Sequence, residues 1–461
     1  MTDASLSPAS FRDPAGFVFS RQDALYRQVN TAGAGDYDRL MSSGLYAALR
    51  ERGWLVAHEE ADVAPASAGA HKVLRPDRLR FISYPYEWCF SQMQDAALLT
   101  LDAQLLALEH GMSLKDASAY NVQFQDGRPL LIDTLSFEDH VDGRPWVAYR
   151  QFCQHFLAPL ALTAHADGRL RRLLTAYIDG IPLDLASALL PARSRLRPGL
   201  LAHLHVHART QRRYQDAAGA AAGAIPRLPK QRLLALLDSL RRTVLRCTLQ
   251  QGRTEWSHYY DETNYTDAAM SAKASLVQRM VDTVAEPGDV IHDIGANTGR
   301  FSRLLATPGR YVVSHDIDDL AVERNHQENR SQGVDRVLPL VLDLANPAPS
   351  IGWGLAERTS ALERIAGGTV VALALVHHLA IGNNVPLASV ARLFARMARH
   401  AIVEFVPKED PMTRRLLAAR RDIFGDYSIE GFRDAFGGPF RIAREAPVAD
   451  SPRTLFLLER R

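Results

Sequence analysis

The residues with the clearest chemical potential recur through the second half of the chain. Asp293-Ile-Gly-Ala-Asn-Thr-Gly299 follows a short apolar run and precedes an amphipathic one, so it is predicted to be a strand-to-helix turn. Glycine at 295 and 299 permits positive φ and lets a ligand approach where a Cβ would block it. The free N–H groups of the following helix point back at that ligand. Further on, Asp316, Asp343 and the pair His377-His378 each close another apolar run. An acid roughly twenty residues after a glycine turn is placed to accept hydrogen bonds from ribose hydroxyls. An acid ending the third strand can accept from an exocyclic adenine amine, and together these positions predict an adenosine ligand. The spacing from Gly295 to Gly299 lacks the third glycine of a dinucleotide turn. Asp293 beside the turn would repel a diphosphate, whereas it can bind an amino group.

Strands are predicted at Val290–Ile294, Tyr311–Asp316, Arg336–Leu342, Thr369–Val376 and His400–Phe405, alternating with helices. Such alternation, with nearly continuous apolar strands, means a parallel sheet covered on both faces. Ligands bind such sheets at the carboxyl ends of their strands. A helix over Asp267–Ala285, stopped by Pro287-Gly288, leads into the first of them.

On these residues, the stretch 254–461 resembles the class I S-adenosylmethionine-dependent methyltransferases. Tyr427-Ser-Ile-Glu-Gly-Phe432, with Phe440-Arg-Ile-Ala443 and Arg453-Thr-Leu-Phe-Leu-Leu-Glu459, looks like that family's last helix and antiparallel hairpin. Within that class the whole chain is most similar to the NoeA-related nodulation protein group. The resemblance implies a Rossmann-like, mostly parallel seven-stranded sheet and S-adenosyl-L-methionine as cofactor. Its binding residues would be Asp293, Gly295, Ala296, Asn297, Gly299, Asp316, Ile317, Asp343 and Leu344. The acceptor is expected to be a small molecule or carrier-bound. His377 and His378, ending strand four, are candidate catalytic bases, because histidine titrates in the right range; one of them can instead support the next helix. Glu404, ending strand five, is a further polar candidate. Trp256, Tyr259, Tyr260, Asn264 and Tyr265 are placed either to cover the cofactor and shape the acceptor pocket or to dock against the first domain.

The first half carries a second constellation. Apolar runs at Phe17–Phe19 and Leu25–Val29 predict a hairpin, Tyr37–Glu51 a helix stopped by Gly53, and Arg80–Pro85 the end of a strand. Ser91–Gly111 has Met93, Ala97, Leu101, Leu105 and Leu108 on one helical face. Asp116 then precedes Asn121, and two short strands around an Asp126-Gly127 turn deliver Asp133. This stretch resembles the catalytic loop and metal-binding aspartate of protein-kinase-like phosphotransferases. The resemblance implies Asp116 as base, with Asn121 and Asp133 holding the Mg²⁺ of Mg-ATP. The chain departs from that pattern at Leu114, where a histidine belongs, and at Thr134-Leu135, which supply no glycine. No Val-Ala-Ile-Lys strand precedes it. The competing reading makes Asp116 and Asn121 loop residues bonding their own backbone.

Helices are predicted over much of 145–250, including Leu157–Leu162 and Leu173–Leu190. His203, His205 and His207 would share a face on a strand and could bind a metal; the helical surroundings scatter them, so no metal site is predicted. Arg209, Arg212, Arg213, Arg227, Lys230, Arg232, Arg241, Arg242 and Arg246 make this region locally basic. Without an aromatic platform, and diluted by Asp216, Asp238 and Glu255, they predict a solvated helix face rather than a nucleic-acid surface. Asp216–Ile225, with eight of ten residues Ala or Gly, marks a break. The expected organisation is an α+β domain over 1–220, a helical connector over 221–253 and an α/β domain over 254–461.

Composition adds mainly exclusions. Lys plus Arg number 54 against 52 Asp plus Glu, so the formal charge of +2 gives no global pull toward nucleic acid or anionic membrane. Three widely separated cysteines argue against a disulfide framework or zinc knuckle. No apolar run approaches membrane-spanning length, and the expected location is the cytoplasm.

Overall fold

A computed structural model describes residues 4–209, 227–249, 266–418 and 421–461. The chain forms two compact units: Met1–Gln251 with Ser350–Arg358, and Gly252–Pro349 with Thr359–Arg461.

In the first unit, β1 (Ser5–Leu6), β2 (Gly16–Arg21), β3 (Ala24–Asn30), β4 (His58–Glu60) and β5 (Ala70–Pro76) form an antiparallel sheet in the order β1-β2-β3-β5-β4. The β2–β3 hairpin matches the apolar alternation that predicts it. The helix expected over Tyr37–Glu51 is two helices, Ala34–Ser42 and Leu45–Glu51, because Gly44 between them sits at φ +81°. The strand expected to end at Arg80–Pro85 is instead a loop entering a turn at Pro85–Glu87. There the Glu87 carboxylate accepts the Tyr84 N–H at 2.8 Å, and Pro85 has no N–H to give a ladder.

The helix Phe90–Glu109 runs through the unit's core, burying Met93, Ala97, Leu101 and Leu108. After it come β6 (Met112–Leu114), β7 (Val122–Gln125), β8 (Arg128–Leu131) and β9 (Phe137–Asp139), paired β6 with β9 and β7 with β8. Asp126 and Gly127 both take positive φ in the tight β7–β8 turn. The stretch 173–190 is two short helices, Leu173–Ala176 and Leu183–Leu189, with Pro182 as N-cap of the second. The segment Ser350–Arg358 joins this unit although it interrupts the second in sequence. Its Glu357 receives two hydrogen bonds from Arg12, at 2.7 and 2.9 Å.

The second unit is built on seven strands: β10 (Val290–Ile294), β11 (Tyr311–Asp316), β12 (Val337–Val341), β13 (Gly368–Ala372), β14 (Ala398–Phe405), β15 (Phe440–Pro447) and β16 (Thr454–Arg460). Their order is β12-β11-β10-β13-β14-β16-β15. β10 to β14 pair in parallel, while β16 runs antiparallel to both β14 and β15. This is the Rossmann-like, mostly parallel seven-stranded sheet that the resemblance implies. Helices Asp267–Val284 and Arg300–Leu305 enclose one apolar core with β10 and β11, and Leu387–Met397 and Ile429–Gly437 enclose another with β13 and β14. The order reverses at β10, whose neighbours are β11 and β13, so a crevice opens at its carboxyl end. Among the described residues no helix is long and apolar enough to cross a membrane.

Candidate functional site

β10 delivers Asp293 and the glycine turn to that crevice. Gly295 and Gly299 each sit at φ +78°, and Asn297 at φ +49°. A Cβ on Gly299 would lie 2.2 Å from Asn325 Oδ1, so only glycine fits there. The turn is tied to the next strand: Gly295 N and Ala296 N donate to His315 O at 2.8 and 2.9 Å, and Asn297 N donates to Asp316 Oδ2 at 2.7 Å.

Asp293 is buried and accepts the Ser302 hydroxyl at 2.6 Å. Burial first, aided by the charge of Asp316, pushes its carboxyl up to about 6 despite Ser302 and Lys273. Asp316 is likewise pushed up to about 6 by burial, against backbone hydrogen bonds that include Asp318 N at 2.9 Å. Beside it Ile317 is 50% exposed, an apolar surface on which a base can lie. Asp343 caps its own loop, accepting from Ala345 N at 3.0 Å and Asn346 N at 3.3 Å. Leu344 is buried in the core.

The two histidines are inequivalent. His377 is 1% exposed and neither ring nitrogen has a hydrogen-bond partner among the described residues, while His378 keeps partial exposure. Their rings lie 4.1 Å apart, centroid to centroid. Burial holds both imidazoles neutral, His377 well below the usual range and His378 at about 4. Of the two, His378 is the more exposed. Trp256, Tyr259, Tyr260, Asn264 and Tyr265 lie outside the described residues.

Three participants were not singled out from the sequence. Lys273, 3% exposed on the helix Asp267–Val284, donates to the fully buried Glu404 at 2.7 Å, and Arg453 is held by Asp410 at 2.7 Å. Ser302 completes the surroundings of Asp293. The one legible signal is Lys273, a lone cation within the apolar stripe Met270, Val277, Met280 and Val281.

In the first unit, Asp116, Asn121 and Asp133 do come together. Asn121 and Gln151 donate to Asp116, the latter at 2.7 Å, and burial first, then the charge of Asp133, raises the Asp116 carboxyl above its usual range. Asn121 Nδ2 reaches Ser136 Oγ at 3.3 Å, whose hydroxyl donates to Asp133 at 2.8 Å. Arg27 on β3 pairs with Asp133 at 2.5 Å.

His203, His205 and His207 are dispersed over a π-helical segment and its end, with His203 and His207 both on Tyr149 and His205 apart from them. His203 bonds Tyr149 and Ser239, His205 bonds Ser187 and Ser194, and His207 stacks on Tyr149. Among the described residues no group of three or more His, Cys, Asp or Glu could hold a metal ion.

No family model matches the chain. Among solved structures, magnesium protoporphyrin IX methyltransferase (ChlM) from Synechocystis PCC 6803 with bound SAH is 18% identical at a TM-score of 0.32, covering 45% of this chain and 93% of that one. The bifunctional kinase-methyltransferase WbdD is 18% identical at a TM-score of 0.30, covering 44% of this chain and 42% of that one. Nodulation protein NoeA of Rhizobium meliloti (strain 1021) is 36% identical over 465 residues, spanning 98% of this chain and 95% of that protein. At that identity over nearly the full length of both, the chain belongs to the NoeA nodulation protein family.

Proposed function

We propose that the second unit is a methyltransferase that uses S-adenosyl-L-methionine to methylate a small-molecule or carrier-bound acceptor. One observation carries this reading: Asp293, the glycine turn and Asp316 meet at the carboxyl end of β10, where the strand order reverses. The residues present fit the cofactor. Asp293 can receive an amino group, Asp316 ribose hydroxyls, Ile317 a base, and Gly295 to Gly299 leave room for the amino-acid portion. The cofactor supplies a sulfonium methyl whose leaving group is already excellent. The chain therefore has to align the acceptor, exclude water and take up a proton where the acceptor is a hydroxyl or a protonated amine. We assign that proton to His378, neutral at physiological pH and the more exposed of the pair. The preference for a methyl donor over a nicotinamide dinucleotide that the turn spacing suggests gains support from the buried carboxylate beside it. Cys89, Cys153 and Cys247 are buried and none is in a disulfide, which suits a reducing cytoplasm.

Thermal unfolding with S-adenosylhomocysteine tests the proposal, since a ligand stabilises the fold that binds it. A clear rise in midpoint is expected. Folded protein that shows no shift at millimolar ligand rejects the reading.

The convergence of Asp116, Asn121 and Asp133 supports a second reading for the first unit, as a module that binds Mg-ATP or another nucleotide. Arg27 already neutralises Asp133, which favours binding without phosphotransfer. A thermal shift with ATP and Mg²⁺ that vanishes in Asp133→Ala is the expected result; no shift in the parent protein removes this reading.

A further inference from the structure

Glu404 receives donors from three separate stretches of the second unit. Lys273 Nζ donates to its Oε2 at 2.7 Å, Ala374 N donates to the same oxygen at 2.8 Å, and Arg453 Nη1 lies 3.8 Å from Oε1. The carboxylate is 0% exposed, and Lys273 and Arg453 are 3% and 4% exposed. Two ion pairs so deeply buried do not by themselves stabilise a fold, because desolvation offsets most of the attraction. A positional role accounts for what the charges hold.

That role is visible at Ala374. It sits at φ +51°, a left-handed conformation that costs a residue with a Cβ free energy unless its surroundings enforce it. The hydrogen bond from its N–H to Glu404 is such an enforcement. Immediately beyond, Leu375 packs on the glycine turn, its Cδ1 3.4 Å from where a Cβ on Gly295 would stand, and Leu375 O accepts the N–H of His378 at 2.9 Å. One buried carboxylate thus fixes a turn whose next residues touch the cofactor loop and carry the histidine pair.

We propose that Glu404 is the positioning residue of the methyl-transfer site: by latching Ala374 it seats Leu375 against Gly295 and aims His378 at the acceptor. Lys273 and Arg453 orient the carboxylate for that purpose. The proposal rests on the methyltransferase reading above.

Two double variants separate the latch from the ion pair. Lys273→Met with Glu404→Gln removes both charges but keeps an amide oxygen for Ala374 N; Lys273→Met with Glu404→Leu removes the charges and the acceptor. Affinity for S-adenosylhomocysteine, by calorimetry on the full chain, and amide exchange of residues 374–378 are read for each. The Gln variant is expected to bind within a few-fold of the parent, and the Leu variant about tenfold or more weaker, with faster exchange at Ala374 and His378. Equal affinity and equal exchange in the two folded variants would overturn the proposal. A parent protein that does not bind S-adenosylhomocysteine rejects the methyltransferase reading instead. In that case the exchange comparison alone still decides whether Glu404 holds the loop.

Discussion

Asp316, at the end of β11, accepts the backbone N–H of Asn297 in the turn after β10 at 2.7 Å. One carboxylate oxygen thereby braces the glycine turn from the neighbouring strand, while the other is held by Asp318 N. The brace places two buried acids, Asp293 and Asp316, close enough that the charge of Asp316 helps raise the Asp293 carboxyl, after burial. On the proposed reading, a bound amino group would relieve that repulsion, whereas a diphosphate would add to it.

The same pair sets a pH dependence. Both carboxyls are raised in the folded protein to about 6 from 3.8. Their contribution to the stability of the ligand-free fold is therefore fully present below the unfolded value and lost as pH rises through about 6. Binding runs the other way, because the ionised forms accept from the ligand. Affinity for S-adenosylhomocysteine should fall as pH drops below about 6, by roughly tenfold per unit for one group. Calorimetry across that range checks it; a flat profile contradicts the assigned roles.

Gly299→Ala should be among the most damaging single changes in the turn. The new methyl meets Asn325, whose amide is fixed by Ser314 at 2.8 Å, and φ +78° adds backbone strain. A loss of more than about 2 kcal/mol is expected. Gly309→Ala, also at positive φ (+87°) but with nothing within 4 Å, should cost about 1 kcal/mol, the strain alone. Chemical unfolding of the two variants side by side separates the close approach from the conformation.

Much of this site was legible because chemistry and periodicity coincide in it. Asp293, Asp316 and the glycines interrupt apolar strands at the points where parallel strands must end, so their positions follow from the pattern. Asp116, Asn121 and Asp133 were likewise legible as a loop–hairpin spacing. What the sequence hid depends on three-dimensional pairing. Arg27 lies far from Asp133 along the chain, and Glu404 finds Lys273 and Ala374 across three elements. Helix continuity over Tyr37–Glu51 failed at Gly44, since apolar spacing is blind to a single left-handed residue. The inequivalence of His377 and His378 was hidden too, because adjacent residues differ only in what the fold packs around them.

Arg12 and Glu357 offer a test of the segment Ser350–Arg358. Glu357 is 3% exposed at its side chain, and it also accepts the Trp353 N–H at 3.0 Å; Arg12 is 53% exposed. Solvent screening of the guanidinium makes the pair itself worth only about 1 kcal/mol. Deleting Arg12 leaves the buried carboxylate with only the Trp353 N–H and the more distant Arg358, 4.0 Å away, so Arg12→Ala should cost more than that, about 2 kcal/mol. Arg12→Ala with Glu357→Gln should regain part of the loss. Urea unfolding of the two variants decides it; equal stability of single and double variants would show that the Glu357 charge costs nothing without Arg12.

The buried histidines of the first unit predict acid lability. His203 Nδ1 meets the Tyr149 hydroxyl at 2.9 Å and Nε2 meets Ser239 Oγ at 2.9 Å, so the neutral ring has both nitrogens satisfied by groups that can donate or accept. Burial first, then the charge of His207, lowers its pKa to about 4 from 6.5. A depressed value means stability that is present above the unfolded pKa and is lost as pH falls through the folded one. The shift corresponds to about 3 kcal/mol at most, spread between pH 6.5 and about 4. His203→Gln keeps a donor and an acceptor but does not titrate. It should be less stable than the parent at neutral pH and should lose less stability on acidification, so the two unfolding curves converge toward pH 4. Curves that remain parallel would mean that His203 stays neutral in both states and takes no part in acid unfolding.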